Sequence, residues 1–415
     1  MTPKALPRFS LTGWTAEDIA NPYPIYRRYL DHDPVHWSSA TASEVGTWYV
    51  FRYGDAASIL SSRHFGRSAR VARPDDPSAP TPVPPGHDAL RRIVENWLVF
   101  MDPPRHRNLR SILNKEFSTE VVEGLRARIA EIAHDLVATT QSKSVFDLVE
   151  DFAAPLPVLV ISTLLGVPRS HRGWLRDRAV SLQEASSARA GRRAGGYSQA
   201  ETAARELTDY FRLETQRRCA NHDDLVSRLV RARDHGEPLT NDEIVGTCVH
   251  LLTAGHETTT NLLCKSVLTL LSNPEVLREL RADPALMPNA VDELIRYDSP
   301  VQMVTRWSYR DEMLRRHKIR RGDKVVLVLG SANRDPLRFP EPDALRLRRR
   351  SNRHLGFGIG IHYCLGAALA RAEAEIGLAV LLEHLPTLRL TNEPVQYADD
   401  MIFHGPKRLV LSTGP

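Results

Sequence analysis

The sequence predicts a mainly α protein with small β-sheets, folded as a single domain over residues 1–415. From about Arg105 onward, apolar residues recur at helical spacing, broken only by short extended runs. A capping box, Thr240-Asn241-Asp242-Glu243, opens a pattern that runs to Leu271 and stops at Ser272-Asn273-Pro274. About 30 residues at 1.5 Å each span roughly 45 Å, and a helix that long with apolar residues on several faces has to run through the interior. No linker divides the chain into independent apolar cores, and no internal repeat appears.

Taken in order, Tyr23 to Asp31 reads as a short helix, followed by a hairpin of Val35-His36-Trp37 and Thr47-Trp48-Tyr49-Val50-Phe51-Arg52. Positions 69–87 are proline-rich and aperiodic, which predicts a long irregular loop. A helix begins after the prolines of Met101-Asp102-Pro103-Pro104. The stretch 185–197, rich in glycine and arginine, breaks the helical pattern and reads as a lid between two helices. Short strands are expected at Lys324 to Leu329, Leu388 to Leu390 and Arg408 to Leu411, with a periodic helix from Gly366 to about His384.

Composition excludes several classes of function. A hydrophobic content of 42% with 25% charged residues is that of an ordinary soluble globular protein. No apolar run reaches the length of a membrane span and the N-terminus lacks a signal-peptide core, so a cytoplasmic protein is expected. The net charge of +5 is mild for 415 residues, and no basic–aromatic alternation suits a nucleic acid. Cysteines 219, 248, 264 and 364 show no pairing pattern, as in a reducing compartment. Arginines gather at 105–110 and 346–353, a patch able to steer an acidic electron donor or simply a solvated surface.

The chemistry concentrates in Phe357-Gly358-Ile359-Gly360-Ile361-His362-Tyr363-Cys364-Leu365-Gly366. A thiol between a glycine-studded turn and a helix start is favoured as thiolate, and the glycines leave room for a flat group to reach the sulfur. The spacing fits neither a dinucleotide fingerprint nor a zinc site. A single thiolate on a planar cofactor points to haem iron, the ligation that favours O–O cleavage. Taken alone, Cys364 would also fit a buried structural cysteine.

Within the long helix, His250-Leu251-Leu252-Thr253-Ala254-Gly255-His256-Glu257-Thr258 places a glycine, an acid and an alcohol together. Gly255 marks a point where helix hydrogen bonding can open, and Glu257 with Thr258 can hold and relay protons; the threonines can equally bond back to the helix carbonyls. His250, Ala254 and Thr258 share one face, so His250 is either a substrate contact or a packing residue. Glu293 and Arg296 form an i,i+3 pair that reads as structural support for the cysteine loop. His106 and Arg110 share a helical face and, with Arg306 and His362, could clamp the two haem propionates; each could also be a surface cation.

With these motifs in order, the chain resembles a soluble bacterial cytochrome P450 over essentially all of its length. The resemblance implies haem b with Cys364 as axial ligand to the metal, in a loop shaped by Phe357, Gly358, Gly360 and Gly366. It further implies propionate contacts from His106, Arg110, Arg306 and His362, an oxygen groove from Ala254, Glu257 and Thr258, and electrons from a separate ferredoxin and its reductase. One departure is Asp343-Ala344, where the family usually carries an arginine partner for Glu293 and Arg296; His354 or Arg346 is the expected substitute.

Phrases around Glu95–Phe100, Gly246–Leu252 and Tyr397–Gly405 also resemble the P450s of indolocarbazole antibiotic pathways. That likeness implies oxidation of chromopyrrolic acid, halogenated or not, by indole–indole coupling with decarboxylation. Such an aromatic dicarboxylate would be met by Arg67 and Arg70, with Arg73 nearby, and by His250 and Phe403. The alternatives are a monooxygenase that hydroxylates or epoxidises a polyketide or other natural product, and a non-enzymatic haem-thiolate sensor.

Overall fold

The computed structural model describes residues 6–41, 45–141, 143–186, 196–218 and 223–413. The stretch 185–197 expected to form a lid lies outside the described residues except at its ends, as does Cys219. The chain packs as two compact units, each assembled from non-contiguous segments.

The first unit comprises Met1–Thr81, Leu268–Cys364 and Tyr397–Gly405. Its sheet is built on the predicted hairpin, Val35–Ser38 against Thr47–Val50. Thr47–Val50 then pairs in parallel with Lys324–Val328, which runs antiparallel to Met303–Ser308; Phe65–Gly66 closes the far edge. The sheet buries Tyr49, Phe51, Val326 and Val328 with Phe9, Tyr26 and Tyr29, and Tyr29 stacks on Phe51 at 5.0 Å. The predicted first helix is Tyr23–His32. The 69–87 segment departs from expectation at its start, where Ser68 accepts a hydrogen bond from the Val71 amide and caps a short helix, Ala69–Ala72.

The second unit comprises Pro82–Val267, Leu365–Gln396 and Pro406–Pro415. It is helical apart from a small sheet in which Val410–Ser412 pairs with Val145–Asp147 and Arg389–Leu390. The long helix spans Asn241–Leu271. Its capping box is formed as predicted: the Glu243 amide donates to Thr240 Oγ1 at 3.2 Å, and the Thr240 amide donates to the Glu243 carboxylate at 2.9 Å. Cys248 and Cys264 lie wholly buried along it, and burial pushes the Cys248 thiol up to about 12, so both act as packing residues. The helix after the cysteine loop spans Ala367–His384. No helix among the described residues is long and apolar enough to cross a membrane.

Candidate active site

In the first unit the cysteine loop is fixed by backbone geometry. Gly358 and Gly360 adopt φ of +66° and +75°, which side chains with a Cβ avoid. A Cβ on Gly360 would also stand 2.6 Å from the Leu60 carbonyl oxygen. The Cys364 amide donates to the Phe357 carbonyl at 2.9 Å, and the Gly358 amide to Leu355 at 2.8 Å. Cys364 forms no disulfide among the described residues and is half-buried, two residues before the helix N-cap, Gly366.

Behind the loop stands the predicted Glu293–Arg296 pair, with both side chains fully buried. Arg296 grips the Glu293 carboxylate at 2.7 and 2.8 Å and donates to the carbonyls of Asn333, Pro342 and Ala344. Neither His354 nor Arg346, the expected substitutes for the missing arginine, places its side chain on Glu293. The third partner is Arg349, whose Nε lies 3.1 Å from both Glu293 oxygens. Arg346 contributes its backbone amide, and His354 turns to Asp292 at 3.3 Å. A carboxylate saturated in this way survives burial. The network reaches the loop through Asn333, whose side-chain oxygen accepts from the Leu355 amide at 2.6 Å.

Also in the first unit, Arg306 is buried on the strand Met303–Ser308 and donates to the Thr305 carbonyl at 2.9 Å. His362 lies in a short 3₁₀ turn, Gly360–His362. Three residues proposed to meet substrate fare differently. Arg67 donates to the Thr305 carbonyl and Arg73 to the Gly322 carbonyl, so both cations brace the sheet; Arg70 is exposed. Phe403 is half-buried and bridges Val301.

In the second unit the central helix is unbroken at Gly255, contrary to the expected opening. The threonines bond back to the helix instead: Thr258 Oγ1 donates to the Ala254 carbonyl at 2.9 Å and Thr260 Oγ1 to the His256 carbonyl at 2.9 Å. Burial nevertheless singles out one stretch. Ala254 is exposed and Gly255, Glu257 and Thr258 are half-buried, while Leu251, Leu252, Thr253, His256, Thr259 and Thr260 are buried. His250, one turn before Ala254, is half-buried, and burial holds its imidazole down to about 4, so it is neutral near pH 7. It stacks on Trp97 at 5.2 Å with ring planes 14° apart.

On the helix Arg105–Glu116, His106 is buried, and its pKa is lowered by burial and by the neighbouring Arg110 cation. Two donors one turn apart on the same helix suit an anionic partner such as a carboxylate. In the first unit a half-buried thiol in a glycine cradle is the donor that thiolate-ligated haem iron requires. The residues fit the group.

Two features escaped sequence reading. Burial raises the Glu373 carboxyl to about 8, and Glu373 bonds to Thr259; an acid in the apolar stripe Leu369, Ala372, Ala374 and Leu378 was the available signal. Arg349 was hidden within a run of arginines.

Comparison with known proteins defines the class. The family model for cytochrome P450 matches residues 197–411. The polyketide biosynthesis cytochrome P450 PksS of Bacillus subtilis (strain 168) is 33% identical over 398 residues, spanning 94% of this chain and 96% of that protein. The mycinamicin IV hydroxylase/epoxidase of Micromonospora griseorubida is 37% identical over 373 residues, spanning 87% and 88%. The solved structure of P450BioI, in complex with an acyl carrier protein ligated to hexadec-9Z-enoic acid, matches with a TM-score of 0.87 at 34% identity over 96% of this chain and 99% of that one. The chain therefore belongs to the cytochrome P450 family and has its fold. It is a haem-dependent oxidoreductase of the monooxygenase type, and its family binds haem b through a cysteine thiolate. The relatives point to secondary metabolism at large; the narrower likeness to indolocarbazole enzymes finds no support among them.

Proposed function

We propose that this chain is a ferredoxin-dependent P450 that hydroxylates or epoxidises a natural product of the polyketide kind. The observation that carries the reading is the bared stretch at Ala254, Glu257 and Thr258 in the middle of a helix whose flanking turns are buried. The resemblance to polyketide-pathway and hydroxylase/epoxidase relatives supports the substrate class.

Haem, when bound, supplies O–O cleavage driven by its thiolate ligand. By their match to the family motifs, Cys364 would hold its iron, and His106, Arg110, Arg306 and His362 would donate to its propionates. The chain's remaining work is handling protons. Thr258 Oγ1 donates to the Ala254 carbonyl at 2.9 Å, which leaves its oxygen lone pairs to accept a proton donor. Glu257, one residue earlier and half-buried, can take protons from solvent and pass them on.

The indole-coupling reading is a second candidate, favoured by the neutral imidazole of His250, which can accept an indole N–H. The arginines weigh against a dianionic substrate, because Arg67 and Arg73 are spent on backbone carbonyls. Titrating the holoenzyme with macrolactones and with chromopyrrolic acid, read by the Soret shift, separates the two. A shift and oxygen-dependent turnover with a macrolactone alone supports the first reading; a response to chromopyrrolic acid alone replaces it with the second.

A further inference from the structure

The Trp97–His250 stack rests on a clamp that neither the haem nor the proton relay uses. The helix Asp88–Glu95 is held at its start by Glu201, whose carboxylate accepts from the Ala89 and Leu90 amides at 3.1 and 2.9 Å. At its end, Asn96 lies against the central helix so closely that a Cβ on Gly246 would stand 2.3 Å from the Asn96 Cβ. Arg105 ties this corner together, donating to the Glu95 carbonyl at 3.0 Å, to Glu243 at 2.9 Å and to the Asn96 side chain. Gly246 is one turn before His250, so the residue after Asn96 is delivered onto the imidazole.

Trp97 is buried and its indole N–H finds no acceptor among the described residues. An orphaned donor costs stability, so what Trp97 contributes at this position is the flat face of its ring. His250 meets the Trp97 ring, and no hydrogen bond to its nitrogens is found among the described residues. Burial is the sole cause of its lowered pKa, with no charged side chain contributing.

We infer that Trp97 is a positioning residue, which holds the imidazole of His250 in one plane so that His250 anchors an N–H or O–H group of the substrate. This rests on the reading that the face bearing Ala254 and Thr258 is the reaction face. Flat stacking fixes the ring plane, and exclusion of water on the stacked side keeps the ring neutral. The site would then prefer aromatic or alicyclic substrates carrying a donor over the same skeletons without one.

Indole and 1-methylindole, titrated into the ferric holoenzyme and read by the Soret shift, form the matched probe pair. Wild type and Trp97→Phe, which keeps a stacking ring, should bind indole roughly fivefold to tenfold tighter than 1-methylindole, the contribution of one hydrogen bond. That preference should hold from about pH 8 down to about pH 5.5. Trp97→Ala opens the ring to water, so the His250 pKa should climb from about 4 toward the ordinary value of about 6.5. The preference should then vanish as pH falls through that value. Nitrogen NMR of the diamagnetic carbon monoxide complex reads the His250 pKa without any substrate. His250→Phe should abolish the preference and serves if Trp97→Ala fails to fold. Equal affinity for the two probes, no shift with either, or a Trp97→Ala protein with the wild-type pKa and preference would overturn the inference. None of these readouts depends on turnover, so loss of the proposed hydroxylase activity would be seen separately.

Discussion

The cysteine loop and the middle of the central helix are both glycine-bearing and polar, yet they are built on opposite plans. Around Cys364 every degree of freedom is taken: two glycines at positive φ, a close approach to Leu60, amide bonds to Phe357 and Leu355, and a buried carboxylate with two guanidinium partners behind. Around Gly255 the helix carries its own backbone bonds, and its polar side chains either fold back on it or stand half-exposed. A ligand to iron must not wander, so its loop is over-determined. The proposed proton path must reorient, and its residues sit on a helix that carries its own backbone bonds.

That contrast predicts effects of different kinds. The largest should come from Cys364→Ser, which removes the thiolate: oxygen-dependent turnover should fall by about three orders of magnitude or more, measured as product formed per haem. Next, Glu293→Gln, which takes the carboxylate from buried Arg296, or Arg296→Met, which leaves Glu293 to Arg349 alone, should cost about 3–5 kcal/mol, seen as a lower urea midpoint and loss of haem on gel filtration. Were either variant as stable as wild type, the over-determined loop would be the wrong picture. Thr258→Val should leave the urea midpoint within about 0.5 kcal/mol of wild type. It should nevertheless lower coupled turnover by about tenfold or more, with oxygen consumed in excess of product. A large fall in stability instead would erase the contrast.

Glu373 gives a pH-dependent test of moderate size. Burial raises its carboxyl to about 8, so the folded chain retains a proton that the unfolded chain releases above about 4.3. The folded state binds the extra proton, so the contribution of Glu373 to stability is full below about pH 4.3 and is lost as pH rises through 8. Glu373→Gln should flatten that decline, gaining up to a few kcal/mol on wild type near pH 8 and little near pH 5, by urea unfolding at both. Gly360→Ala, where positive φ and the Leu60 carbonyl act together, should cost about 1–3 kcal/mol by urea unfolding.

Much of this was readable from residue order. The capping box and the proline stop bounded the central helix because both signals are local. The glycines of the cysteine loop stood out because positive φ leaves few other residue types. The partner of Glu293 was not readable: several arginines lie between Arg346 and Arg353, and only the path of the chain back from Pro342 decides that Arg349 reaches it. Arg67 and Arg73 misled for the same reason, since a cation near a loop does not reveal whether a carbonyl will claim it. Gly255 misled because a glycine permits an opening without requiring one, and here the helix runs unbroken through it.

The most direct test of the central claim is the carbon monoxide difference spectrum of the reduced holoprotein beside that of Cys364→His. Wild type should show the red-shifted Soret band of thiolate-ligated haem, and Cys364→His should show the shorter-wavelength band of imidazole ligation. An identical band from both proteins, or no haem bound by the wild type, would contradict the account.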